Sequence, residues 1–143
     1  MVDINEFKKK LFPLGFGTAQ LDQDYGFDKR LTEEKQRELI KKIEESPINF
    51  IDTAPAYANA EKVLGKFLSK KKFIATKLSK IPEEIFSNKK LLKENIEKSI
   101  DESLKNLNIK KLDLLLLHQS EPELIFNKEF KDIINELKNK NKI

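Results

Sequence analysis

Asp52, Tyr57, Lys77 and His118 are the residues of this chain whose types and surroundings suit proton transfer. Three of them close apolar runs: Phe50-Ile51 before Asp52, Phe73-Ile74-Ala75-Thr76 before Lys77, and Leu114 to Leu117 before His118. Tyr57 stands just beyond Asp52, across Thr53-Ala54-Pro55-Ala56. A phenol is a weak acid, with an ordinary pKa of about 10, so donating a proton at neutral pH needs help. A lysine ammonium stabilises the phenolate, and a carboxylate keeps that lysine charged and in place. An imidazole beside the phenol can orient a substrate carbonyl. Together the four suit protonation of a carbonyl oxygen while hydride arrives from elsewhere. Singly they carry little. A strand-end Asp or Lys is ordinarily a solvated cap, a lone Tyr a half-buried aromatic, and a lone His a structural residue.

Such side chains need strands to aim them, and the chain alternates short apolar runs with segments of helical period. Residues 11–18 read as a first strand ending in the turn Gly15-Phe16-Gly17-Thr18, and residues 48–52, 73–77 and 112–118 as three more. Thr32 is placed to cap a helix whose first turn holds Glu33 and Glu34, with Leu39, Ile40 and Ile43 as its stripe and Ser46-Pro47 as its stop. Further helices are expected over 59–69, 88–107 and 127–141. Four β-α units in strict alternation imply an α/β fold with parallel strands and right-handed crossovers, as one domain over 1–143. An open doubly wound sheet and part of a (β/α) barrel both satisfy this pattern. In either, the polar strand ends lie on the side where sites are built.

Composition removes several function classes. With no cysteine there is no disulfide, thiolate metal site or cysteine nucleophile, and with one histidine no metal site is expected. The net charge of +4 is spread along the chain, without aromatic and basic residues interleaved, so no nucleic-acid partner is expected. The runs Lys8-Lys9-Lys10 and Lys70-Lys71-Lys72 read as solvated faces. Leu114 to Leu117 is too short to span a bilayer and the N-terminus lacks the blocks of a signal peptide, so no membrane and a cytoplasmic location are expected. Gly15-Phe16-Gly17 does not extend to a dinucleotide fingerprint, because Gln20 stands where the third glycine belongs.

The stretch from Ile48 through Asp52-Thr53-Ala54 and Tyr57 to Glu61 and Val63-Leu64-Gly65 resembles the aldo-keto reductase signature. Leu14-Gly15-Phe16-Gly17-Thr18 resembles the first-strand turn of that family, Phe73 to Lys77 its lysine strand, and Leu115 to His118 its histidine strand. The resemblance runs from about residue 11 to the C-terminus. It implies a TIM barrel using NADPH or NADH without a Rossmann domain, and a small carbonyl substrate. Tyr57 would be the proton donor, Lys77 would tune the phenol, Asp52 would hold Lys77, and His118 would orient the carbonyl. Backbone at Gly17 and Thr18 and the Asp52 carboxylate would line the nicotinamide end of the cofactor cleft. Ala58-Asn59 departs from the glycine that many relatives have after the tyrosine.

A complete barrel takes eight βα units and about 250 residues. Four units therefore predict a half-barrel with strands in the order 1-2-3-4, lacking most of the family's cofactor grip. Two functions follow: an NAD(P)H-dependent carbonyl reductase, or a catalytically silent half-barrel serving as a structural or interaction module. A half-barrel also predicts exposed sheet edges at 11–18 and 112–118, and with them self-association.

Overall fold

Thr32 accepts the Lys35 N–H at 3.4 Å and opens helix α1 (Glu33–Glu45), which buries Gln36, Ile40 and Ile43 and stops at Ser46. Asn88 caps the long α3 (Lys89–Leu107) in the same way, accepting the Leu91 N–H at 3.1 Å. Asn108 ends α3 in the left-handed conformation, at φ 55°, that helix termini favour. In this computed structural model, residues 9–24, 29–69, 71–118 and 121–143 are described. The remaining elements are β1 (Phe16–Gly17), β2 (Phe50–Asp52), α2 (Ala60–Phe67), β3 (Phe73–Leu78), β4 (Leu114–Leu117), α4 (Pro122–Phe126) and α5 (Lys128–Asn139).

The four strands form one parallel sheet in the order β1-β2-β3-β4. A doubly wound sheet reverses its strand order at a switch point; this one does not, and reads as consecutive staves of a barrel wall. Register partners share a face. Asp52 pairs with Ala75 and Ala75 with Leu114, while Lys77 pairs with Leu116, so these residues lie on one face. The opposite face carries Ile51, Ile74, Thr76 and Leu78, all buried under the helices. The core is that outer layer: Ile40, Leu64, Leu92, Ile96, Ile100 and Leu137 are essentially inaccessible. Gly65 is where α2 meets α3. A Cβ there would stand 2.1 Å from the Asn106 carbonyl oxygen, so only glycine lets the two backbones approach this closely.

The structure corrects several boundaries. The first strand is not 11–18; only Phe16–Gly17 pairs with β2. Pro13 has no N–H to give a ladder, and Asn49 satisfies the neighbouring backbone through its side chain, accepting the Phe12 N–H at 2.8 Å and donating to Lys10 O at 2.6 Å. The second strand loses Ile48, whose N–H goes to Ser46 Oγ and whose carbonyl is taken by Lys72. The fourth strand shortens to Leu114–Leu117 because Leu112 gives its N–H to Lys142 O instead. A single turn of 3₁₀ helix at Glu83–Ile85 and the short α4 are additions.

Lys72 is also not part of a solvated run. Its ammonium lies 3.1, 3.5, 3.4 and 2.6 Å from the carbonyls of Ile43, Glu44, Ser46 and Ile48, and so closes the negative end of α1. Lys8 and Lys70 lie outside the described residues. No described helix is long and apolar enough to cross a membrane.

Candidate active site

β2 delivers Asp52, and a turn delivers Tyr57: its N–H bonds Ala54 O at 3.0 Å, and its carbonyl receives the Ala60 N–H at 2.9 Å. Ala58 then passes through φ 47°, a left-handed conformation that costs an L-residue about 1–2 kcal/mol. The glycine that the sequence lacks here is thus missing at a position whose backbone would favour one. Lys77 lies one residue before the end of β3, and His118 directly follows β4.

All four predicted catalytic residues meet at the carboxyl ends of the strands. Lys77 Nζ lies 2.8 and 2.9 Å from the two Asp52 carboxylate oxygens and 3.1 Å from Thr53 O. Those contacts use all three of its donors. Its contact with Tyr57 is therefore through the ring, at 4.9 Å from the centroid. The Tyr57 and His118 rings stand edge-to-face, 6.3 Å apart at 72°. Tyr57 is half-buried and packs against the core, whereas His118 is exposed.

Gly17 and Thr18 play different parts. Gly17 pairs with Asp52, and a Cβ on it would meet nothing within 4 Å, so its backbone is open to approach beside the carboxylate. Thr18 is buried, and both its N–H and its hydroxyl donate to Asp52 O at 3.0 Å. It pins β2 and has no donor left for a ligand.

Sequence reasoning left three supports of this site without a role. Glu61, buried on α2, accepts the Thr76 hydroxyl at 2.6 Å and the Asn106 amide at 3.4 Å, which ties α2 to the strand residue next to Lys77. Asp22 accepts from Asn59 at 2.9 Å and from buried Gln36 at 2.8 Å, so the loop after β1 holds the turn that carries Tyr57. Burial pushes the Asp22 carboxyl up, but those two hydrogen bonds and the charge of Arg30 outweigh it and bring it below its ordinary value. Thr53 is the third; its hydroxyl is buried without a hydrogen-bond partner among the described residues. The signature hinted at Glu61 by placing an acid on an apolar helix face; Asp22 and Gln36 carried no such signal. No cluster of His, Cys, Asp or Glu able to hold a metal occurs among the described residues.

Known proteins share this arrangement of strands and helices. The chain is 32% identical over 121 residues to an L-galactose dehydrogenase of Arabidopsis thaliana, covering 78% of this chain and 35% of that one. It superposes with a TM-score of 0.72 and 26% identity on a Pseudomonas aeruginosa protein described as an aldo-keto reductase, covering 93% of this chain and 53% of the other. The holo form of an aldo-keto reductase from Bacillus halodurans gives 0.67 and 28%, covering 90% and 42%. The chain thus spans about a third to a half of these relatives, and its sheet corresponds to the N-terminal portion of their TIM barrel. The model of the aldo/keto reductase family matches residues 13–143, and the chain belongs to that family.

Proposed function

We propose that this chain carries the proton-transfer half of an NAD(P)H-dependent carbonyl reductase, with Tyr57 as proton donor to a small carbonyl substrate. The observation that carries this reading is the ammonium of Lys77, gripped by Asp52 and held over the Tyr57 ring. As the phenol loses its proton, negative charge grows on the ring system beneath a fixed cation, which lowers the cost of that step. Asp52 keeps the cation there. His118, edge-on to Tyr57, presents a ring nitrogen that can hold a carbonyl oxygen near the phenol. The open backbone at Gly17 and the partly exposed Asp52 carboxylate fit the reacting end of a nicotinamide, which when bound supplies the hydride.

The test follows NADPH absorbance with a panel of aldehydes and ketones, comparing the wild type with Tyr57→Phe. Loss of general acid catalysis is expected to lower turnover by about 10²–10⁴-fold. Equal rates with every substrate, or no turnover at all, would remove the catalytic reading. A second reading is a catalytically silent half-barrel used for interaction. Titration with NADPH separates the two: a dissociation constant at or below about micromolar supports the first.

A further inference from the structure

Tyr57 lies on the connection between Asp52, which ends β2, and Ala60, which opens α2. One step beyond it, Ala58 stands at φ 47°. A residue with a Cβ is strained there, and a chain left to itself relaxes towards negative φ. Relaxation would swing the Tyr57–Ala58 peptide and carry the ring away from the Lys77 ammonium, now 4.9 Å from its centroid. Two local bonds resist this, from the Tyr57 N–H to Ala54 O at 3.0 Å and from the Ala60 N–H to Tyr57 O at 2.9 Å. Neither ties the turn to another element.

That tie comes from the loop after β1. Asn59 stands just before α2, where a side chain ordinarily accepts a backbone N–H of its own helix, but it makes no such bond. Its amide donates instead to Asp22 Oδ2 at 2.9 Å. Asp22 Oδ1 receives Gln36 Nε2 at 2.8 Å, and the same nitrogen reaches Leu21 O at 2.9 Å. Gln36 is buried on α1, so Asp22 is itself anchored. The other end of the loop is fixed as well, since Thr18 donates twice to Asp52 O. One short loop thus braces both ends of the connection, Thr18 at Asp52 and Asp22 at Asn59, with Tyr57 between them. Only β1, α1, β2, α2 and the loops between them take part.

We propose that Asp22 is a positioning residue for Tyr57: through Asn59 it keeps Ala58 left-handed, and so keeps the phenol beside Lys77 and His118. The role rests on the reading of Tyr57 as proton donor, and Asp22 acts through Asn59 and not on the substrate. A carboxylate suits the task, because its two oxygens accept two amides at once, whereas an amide side chain offers one accepting atom. A hydrogen bond to a charged oxygen and the strain of one left-handed residue are of similar size, so the one can hold the other. Misplacing a reacting group by about 1 Å can cost about a hundredfold in rate. Because the clamp acts on the proton donor, its loss falls on kcat and leaves KM nearly unchanged.

The test reads the NADPH assay beside the ring resonance of Tyr57 in chain carrying isotope-labelled tyrosine, assigned by its loss in Tyr57→Phe. Asp22→Ala and Asn59→Ala should each shift that resonance and lower kcat by about ten- to a hundredfold, with KM within about twofold of wild type. Lys62→Met removes the other contact of the Asn59 side chain, at 3.1 Å, and should change neither readout. Adding Ala58→Gly to either clamp variant removes the strain, and should return the resonance and bring kcat to within about threefold of wild type. If Asp22→Ala does not fold, Asn59→Ala carries the test, since it lies at an exposed position and leaves Gln36 its acceptor. If the wild type itself shows no turnover, the reductase reading falls and the resonance alone decides: a shift in the clamp variants that Ala58→Gly reverses supports the clamp. A resonance unmoved by both clamp variants overturns the proposal. A change that Ala58→Gly leaves in place, or that Lys62→Met reproduces, overturns it as well.

Discussion

Thr76 and Lys77 are neighbours in β3, and each holds a carboxylate, but on opposite faces of the sheet. Thr76 is fully buried and gives its hydroxyl to Glu61, which has no ion-pair partner among the described residues. Lys77 is charged, its partner Asp52 is about a third exposed, and both look out on the open face. The helix-covered pair works as architecture and joins α2 to the sheet. The open pair holds a full charge where a reacting group can reach it. A period of two residues is enough to separate these roles, since one step along a strand changes the face and with it the dielectric surroundings. Substitutions on the covered face should therefore cost stability, and substitutions on the open face should cost activity.

Gly65→Ala should break the covered side most severely. Its Cβ would meet the Asn106 carbonyl oxygen at 2.1 Å and the Leu107 carbonyl carbon at 2.9 Å, both backbone atoms that cannot rotate away. Relief requires α2 and α3 to separate, and Asn106 is also the residue that reaches Glu61. Overpacking of this kind costs about 3 kcal/mol, a large share of a small domain's stability, and should lower Tm by roughly 10 °C. A Tm within about 2 °C of wild type in thermal unfolding would mean that the junction yields easily.

Glu61→Leu and Lys77→Met then sharpen the contrast directly. Removing Glu61 leaves the Thr76 hydroxyl buried without an acceptor, at a cost of about 1–3 kcal/mol. Glu61→Gln keeps an oxygen for that hydroxyl and should recover most of the loss. Lys77→Met should cost about 1 kcal/mol or less, because its ion pair is partly solvated, while lowering any carbonyl reduction far more. Urea unfolding of the three variants beside the NADPH assay reads both axes. Equal stability losses from Glu61→Leu and Lys77→Met would erase the distinction between the faces.

How far the sequence reveals this depends on the kind of signal. Helices α1, α3 and α5 are legible from their apolar stripes, α1 also from its Thr32 cap, and β3 from Phe73 to Lys77, because burial on one side imprints a period. The site quartet was legible because its residues end apolar runs in a family pattern. β1 was overextended, since Leu11 to Gly17 looks strand-like while the deciding contact is Asn49, an amide side chain far along the chain. Lys72 was misread for a similar reason: the carbonyls that surround it come from the end of α1, and a run of lysines does not announce a buried acceptor. Side-chain bonds to distant backbone leave no periodicity behind.

A weaker tie of the helix layer lies at its surface, and its pH dependence tests how far burial sets the scale. Glu136 on α5 receives Lys140 at 2.7 Å from its own helix end and Lys93 of α3 at 2.7 Å. The hydrogen bond from Lys140, and then that from Lys93, hold its carboxyl down from 4.5 to about 2. The folded chain therefore binds the Glu136 proton less readily than the unfolded chain. The tie contributes fully above the unfolded value of about 4.5 and is lost as pH falls towards 2. Because Glu136 is 40% exposed, solvent and salt screen the pair and the contribution is small. The expected result is a Tm gap between wild type and Glu136→Gln that is modest at pH 7, shrinks between about pH 4.5 and 2, and narrows in high salt. A gap that stays constant over that range would assign the role of Glu136 to packing of its side chain against α3 and not to its charge. A gap as large as that of Glu61→Leu would show that burial does not rank these ties.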